Sequence, residues 1–275
     1  MLFNTFVHIP GIGETTERRL WQAGITSWDD FRPPYPEFLS AQKIRFINDH
    51  LERSRAQAGQ QAPLDFLRQL PAAQRWRIFP HYRDSVAYLD IETTGLHFTE
   101  HCITTVSVYD GARVFTYVQG ENLADFAKDI GQYNLLVTYN GKAFDIPMLE
   151  RHFGFKMTQA HIDLRPLLQN LGFVGGLKGC ERQMGLDRGN LAGVDGYCAV
   201  LLWREYCRTK ARPVLETLLA YNVEDAVNLE SLLVQAYNLK LTGTPFAESH
   251  RLPMPDLPEK LFFPDMELIA RMRSY

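Results

Sequence analysis

The chain has 275 residues, 29 Lys+Arg against 32 Asp+Glu, and a hydrophobic fraction of 45%, which is ordinary for a globular chain with one core domain and an appendage. No apolar run approaches the roughly 18 residues of a membrane span, and "MLFNTFVHIPGIG" lacks the basic and apolar regions of a signal peptide. Cys102, Cys180, Cys198 and Cys207 form no C-x-x-C pair, which argues against a zinc or disulfide framework and for a reduced, cytoplasmic setting without membrane contact.

Charge is unevenly spread: Met1 to Arg83 carries 11 basic against 8 acidic residues, the remainder 18 against 24. Such a split suggests two regions with different jobs. The first, residues 1–79, reads as helices and turns. "PGIGETTERRLWQAGI" gives a glycine turn followed by a short helix, and "SWDDF" starts a second one with Ser27 as N-cap. "PEFLSAQKIRFINDHLERSRAQ" predicts a longer helix with Phe38, Ile44, Ile47 and Leu51 on one side. "GQQAP" and "QRWRIFPHYRDS" read as a connection.

Residues 80–240 change period. Strands are predicted at Ser85–Ile91, Cys102–Tyr109 and Arg113–Val118, the last two joined by a "DGA" hairpin signal. A helix at Asn122–Ile130, a strand at Leu135–Tyr139, a helix at Ala143–His152 and a short strand "HIDL" follow. Further helices are predicted at Arg165–Leu171, Leu177–Met184, Tyr197–Cys207 and Val214–Tyr237. Hairpins first, then alternating helices and strands, point to an α/β fold: a mixed sheet with flanking helices, preceded by a small all-helical region. The tail, residues 241–275, is proline-rich before a short amphipathic helix.

Within "AYLDIETTGL", Asp90 and Glu92 stand two apart in an apolar strand and therefore share a face. Adjacent carboxylates repel unless a cation lies between them. Asp145 opens the helix after "TYNGKAF", where a favourable helix dipole is an equally good account of it. Tyr221 and Asp225 in "LLAYNVEDAVNLESLL" are one helical turn apart, which also suits a plain structural hydrogen bond; Glu224 falls on another azimuth and is expected to face solvent. If the helices cross the end of the sheet, these acids converge. Such hard oxygen ligands select Mg²⁺ or Mn²⁺, and two ions ~3.5–4 Å apart form the clamp used for displacement at phosphorus.

"DIETTGL", "NGKAFDIPML" and "YNVED" resemble, in order, the three motifs of the DEDD exonucleases of the ribonuclease-H-like superfamily. The tyrosine resembles the DEDDy group, and "HIDLRPLLQNLG", "LKGCERQMGL" and "GVDGYCAVLLWREY" look closest to its YprB-type proteins. The resemblance implies a ribonuclease-H-like sheet and 3′→5′ hydrolysis of phosphodiester bonds at nucleic-acid ends with two divalent ions. Asp90 would bridge the ions, Glu92 and Asp225 complete their shells, Asp145 act directly or through water, and Tyr221 orient the attacking water. Thr93, Thr94, Leu96, Asn140 and Phe144 would face the substrate, with a core role open for Leu96 and Phe144; His161 and Asp163 lie nearby, the histidine read as a core residue. "HIPGIGETTERRLWQAGI" resembles part of a helix-hairpin-helix motif, in which Gly11 and Gly13 turn backbone N–H groups toward a phosphate. The expected partner is a single-stranded 3′ end, DNA ahead of RNA. The alternatives are an exoribonuclease and a nucleic-acid-binding protein without catalysis.

Overall fold

The computed structural model describes residues 1–59, 63–95, 102–191 and 194–272. A glycine turn leads into α1 (Glu14–Gln22), and Ser27 and Asp30 close a capping box around a 3-10 turn at Trp28–Asp30. The long helix α2 spans Ala41–Gly59, starting later than the sequence pattern predicts because Pro36–Leu39 forms a separate turn. A short helix α3 (Pro63–Gln69) then leads to a 3-10 stretch at Ala72–Ile78 and to α4 (Phe79–Tyr82).

The stretch read as a connection is core instead. Trp76, Ile78, Phe79 and Tyr82 are buried, and Trp76 meets Tyr237 edge to face at 5.4 Å between ring centroids. Its basic residues disguise it: Arg77 is buried because its guanidinium pairs with the equally buried Glu17 at 2.8 Å.

Five strands follow: β1 (Val86–Thr93), β2 (Ile103–Tyr109), β3 (Val114–Val118), β4 (Leu135–Thr138) and β5 (Ala160–Asp163). They form a mixed sheet in the order β3-β2-β1-β4-β5; β1–β2 and β2–β3 are antiparallel, β1–β4 and β4–β5 parallel. The helix predicted at 122–130 is broken, with one α-helical turn, α5 (Phe126–Asp129), between two 3-10 turns. The remaining helices are α6 (Asp145–Phe153), α7 (Leu164–Asn170), α8 (Gly176–Gln183), α9 (Gly196–Thr209), α10 (Arg212–Leu241) and α11 (Met266–Met272). The tail packs on the body: Leu268, Ile269 and Met272 of α11 are buried in the cluster that also holds Leu202 and Leu215. No helix among the described residues is long and apolar enough to cross a membrane.

Period-2 alternation divides β1 between two cores. Ala87, Leu89 and Ile91 join Phe126, Met148 and Leu149 on one face, while Val86 and Tyr88 join Leu229, Leu232 and Leu233 of α10 on the other. Asp90 and Glu92 continue the second row, at the end of the strand where the apolar packing stops. The β1–β2 register shifts between Glu92 and Thr93, a break in pairing that re-aims side chains.

Candidate metal centre

Helix α10 crosses β1 and β2 and brings Tyr221, Asn222 and Asp225 over the acidic end of β1. Oxygen atoms of Asp90, Glu92 and Asp225 lie within 4.8 Å of one another. Asp90 and Glu92 are half-buried, Asp225 is buried. Asn222 fixes the first of them: its Nδ2 donates to Asp90 Oδ2 at 2.6 Å, while its Oδ1 accepts from Thr105 Oγ1 at 2.9 Å and Ser107 Oγ at 2.7 Å on β2.

Asp145 stands at the first position of α6, buried beside this trio. Burial pushes its carboxyl pKa up to about 7, against backbone N–H groups of Asp145 and Ile91 that favour the charge; Asp163 and Asp225 push it further up. Asp90 and Glu92 are raised well above the usual carboxylate range, first by burial and then by the charges of Asp225 and Asp145, with Glu92 also raising Asp90. Mutual elevation is the electrostatic signature of acids gathered without enough counter-charge. An all-carboxylate oxygen set with surplus negative charge fits a hard divalent cation.

Two protein cations supply part of the compensation, and neither stands out in the sequence. Arg188, only 6% exposed, donates Nη1 to both carboxylate oxygens of Glu181, at 2.9 and 2.8 Å, and Nη2 to Asp225 Oδ1. Asn228 adds a bond to Glu181 Oε1 at 2.8 Å. Lys178 donates to the Tyr221 hydroxyl at 2.5 Å and to the Val194 carbonyl, with its ammonium 4.3 Å from the Tyr221 ring centroid. The expected simple bond between Tyr221 and Asp225 gives way to this arrangement, each residue taking a separate cation. Glu224, expected in solvent, is half-buried and pairs with Lys260 at 3.5 Å. Burial first, then the charges of Asp225, Glu92 and Asp90, hold the Tyr221 phenol far above its ordinary pKa.

The remaining candidates fall into three places. Thr93 is buried, its hydroxyl donating to the Gly95 carbonyl at 2.5 Å, and Thr94 Oγ1 accepts from Cys102 N at 3.0 Å; Leu96 lies outside the described residues. Asn140 adopts a left-handed backbone (φ 63°), and its side-chain oxygen accepts from Arg165 at 2.8 Å. Phe144 packs against the cluster that holds Met148 and Leu149, the core role left open for it. His161, read as a core residue, is half-buried: it bonds Thr138 Oγ1 at 2.8 Å and borders a cavity away from the acids. Gly11 and Gly13 border a separate cavity of about 630 Å³ with His8, His50 and Arg53. There the first turn of α1 bears Glu14 and Glu17, and the Glu17 carboxylate turns inward, accepting Phe6 N at 2.7 Å and pairing with Arg77 at 2.8 Å.

A family model described as the RNase_H superfamily matches residues 87–237, more than half of the chain, and the chain belongs to that superfamily. Among solved structures it resembles a family B DNA polymerase from the archaeon Pyrobaculum calidifontis, with a TM-score of 0.44 at 18% identity over 61% of this chain. It spans 27% of that polymerase. It also resembles a nuclease in its apo form (TM-score 0.42, 18% identity, 72% of this chain and 85% of that one) and Brucella melitensis NrnC with bound Mg²⁺ (0.41, 18%, 71% and 87%). No curated protein matches the chain.

Proposed function

We propose that this protein is a DEDDy-type 3′→5′ exonuclease, akin to YprB-type proteins, that hydrolyses single-stranded nucleic-acid ends with divalent cations, DNA ahead of RNA. The observation that carries the reading is the convergence of Asp90, Glu92 and Asp225 at one end of a ribonuclease-H-like sheet, with Tyr221 one turn before Asp225 on α10. The polarity and the preference for DNA rest on the resemblance of the three motifs.

In this reading Asp90, Glu92 and Asp225 hold Mg²⁺ or Mn²⁺, with Asp145 beside them. The bound cations polarise the phosphoryl oxygen and lower the pKa of water. Water oxygen bonds to phosphorus, the bond to the preceding 3′ oxygen breaks, and that oxygen takes up a proton, releasing a nucleoside 5′-monophosphate. Tyr221 does not act as a base, because a phenol with an ordinary pKa of about 10 stays protonated near neutrality; it orients by donating its O–H.

The test is digestion of single-stranded oligonucleotides labelled at the 3′ or the 5′ end, with Mg²⁺ or Mn²⁺. Labelled mononucleotide is expected early from the 3′-labelled strand, and Asp90→Ala should abolish it with the fold retained. Binding without release from either label overturns the enzyme reading, and early release from the 5′ label overturns the polarity.

A further inference from the structure

Away from the acidic centre, a cavity of about 440 Å³ opens between α3, the 72–78 turn, β5 and α7. Leu67, Trp76, Ile162 and Leu167 give it an apolar wall, and Arg75, Lys142, Gln159 and His161 give it polar corners. Among the described residues, eight buried side-chain polar atoms have no hydrogen-bond partner, and three belong to this one wall: Arg75 Nε, Trp76 Nε1 and Gln159 Oε1. Buried polar groups are normally satisfied, so a concentration of orphans calls for an explanation. Gln159 is not loosely placed, since its Nε2 donates to the Ile130 carbonyl at 3.0 Å.

The charges agree. No carboxylate lies within ion-pair distance of Arg75 or Lys142 among the described residues. The one acid on the wall, Asp163, accepts the backbone N–H groups of Asn140, Arg165 and Lys142 at 2.8, 3.0 and 3.1 Å, so its oxygens are occupied in holding the turn. An apolar slot flanked by two cations with no carboxylate in reach matches a flat body carrying an anionic group. Guanidinium and ammonium suit a phosphate, while the apolar slot suits a flat base.

We propose that this cavity is a nucleotide-binding site, distinct from the carboxylate centre. It shares the 140–145 turn with that centre: Lys142 stands at its mouth, three residues before Asp145. The nucleotide is either a free mononucleotide or one unit of a strand whose end lies at the acids. The inference does not depend on cleavage.

Titration calorimetry of the full chain in EDTA, where hydrolysis is off, tests it with a nucleoside monophosphate and separately with a single-stranded oligonucleotide. The variant Arg75→Gln/Lys142→Gln is compared with wild type and with a control that neutralises two distant exposed cations, Arg113→Gln/Lys128→Gln. Loss of mononucleotide affinity by tenfold or more in the first variant alone identifies a site for free nucleotide. The same loss for the oligonucleotide, with no mononucleotide binding, identifies a subsite for the strand. Wild type binding neither ligand, or a loss no greater than the control's, overturns the assignment. Failure of the exonuclease reading shows in the labelled-strand assay and leaves these titrations unchanged.

Discussion

Lys178 Nζ donates to the Tyr221 hydroxyl at 2.5 Å while lying 4.3 Å from the centroid of the same ring. An ammonium offers donors only, so the phenol oxygen must accept and its single proton points elsewhere. Tyr221 is thereby committed as a donor toward whatever else it meets. Lys178→Met and Tyr221→Phe should each lower turnover by roughly tenfold or more, within the range for a positioned catalytic group. Both act through one O–H, so the double variant should be no slower than the worse single. Losses that multiply would separate the two residues and overturn the coupling.

Arg188 joins Glu181, which is fully buried, to Asp225. Burial alone would weaken its charge, but Asp225 and Glu181 outweigh that and raise its pKa. Arg188→Gln leaves two buried carboxylates facing each other and should cost about 3–5 kcal/mol of stability in EDTA, the usual penalty for breaking a buried ion pair. A bound divalent ion replaces part of the missing charge at Asp225 and stabilises by mass action. Mg²⁺ should therefore raise the melting temperature of the variant more than that of wild type. Equal shifts would mean that Arg188 and the cation do not share Asp225.

The acids were legible in the sequence because chemistry of this kind breaks local rules: two carboxylates in an apolar strand, and an acid opening an apolar helix. The sheet was legible because β1 opens on the apolar run Val86–Leu89 and β2 carries Val106, Val108 and Tyr109 among β-branched threonines. Arg188 and Lys178 were not, since a basic residue after a helix, or on a short one, reads as solvated until its partners from another element are known. Asn222 carried only a faint signal, a polar residue wedged between Tyr221 and Val223 on a helix otherwise rich in leucine. The core at 74–82 was hidden for a related reason, because the charge of the buried Arg77 is balanced by Glu17, 60 positions away.

Asp145 makes stability depend on pH. The folded protein keeps its proton to pH about 7, whereas the unfolded chain releases it near pH 4, about the value for a free aspartate. Between those values the folded state binds more protons, so this group's contribution to stability falls as pH rises. Asp145→Asn does not titrate. In EDTA its stability relative to wild type should climb from pH 4 to 7 and level off above, by parallel thermal melts. Taking the difference cancels the opposite trend of His8 and His161, whose pKa values burial lowers to about 4. A constant difference across that range would show that Asp145 is ionised throughout.

Asn222 ties the acidic strand to its neighbour through one amide: the donor side holds Asp90, the acceptor side holds Thr105 and Ser107. It is wholly buried, so its partners have little recourse to water. Asn222→Leu keeps the branching in a larger side chain and orphans two hydroxyls and a carboxylate oxygen, which should cost about 2 kcal/mol or more by urea denaturation. Asn222→Asp retains an acceptor but replaces the donor with a fourth charge beside Asp90. Its destabilisation in EDTA should grow from pH 5.5 to 8, as the added acid ionises against its neighbours, while that of Asn222→Leu should change much less. If the two variants respond alike to pH, the amide acts through packing and not through the proton that it gives to Asp90.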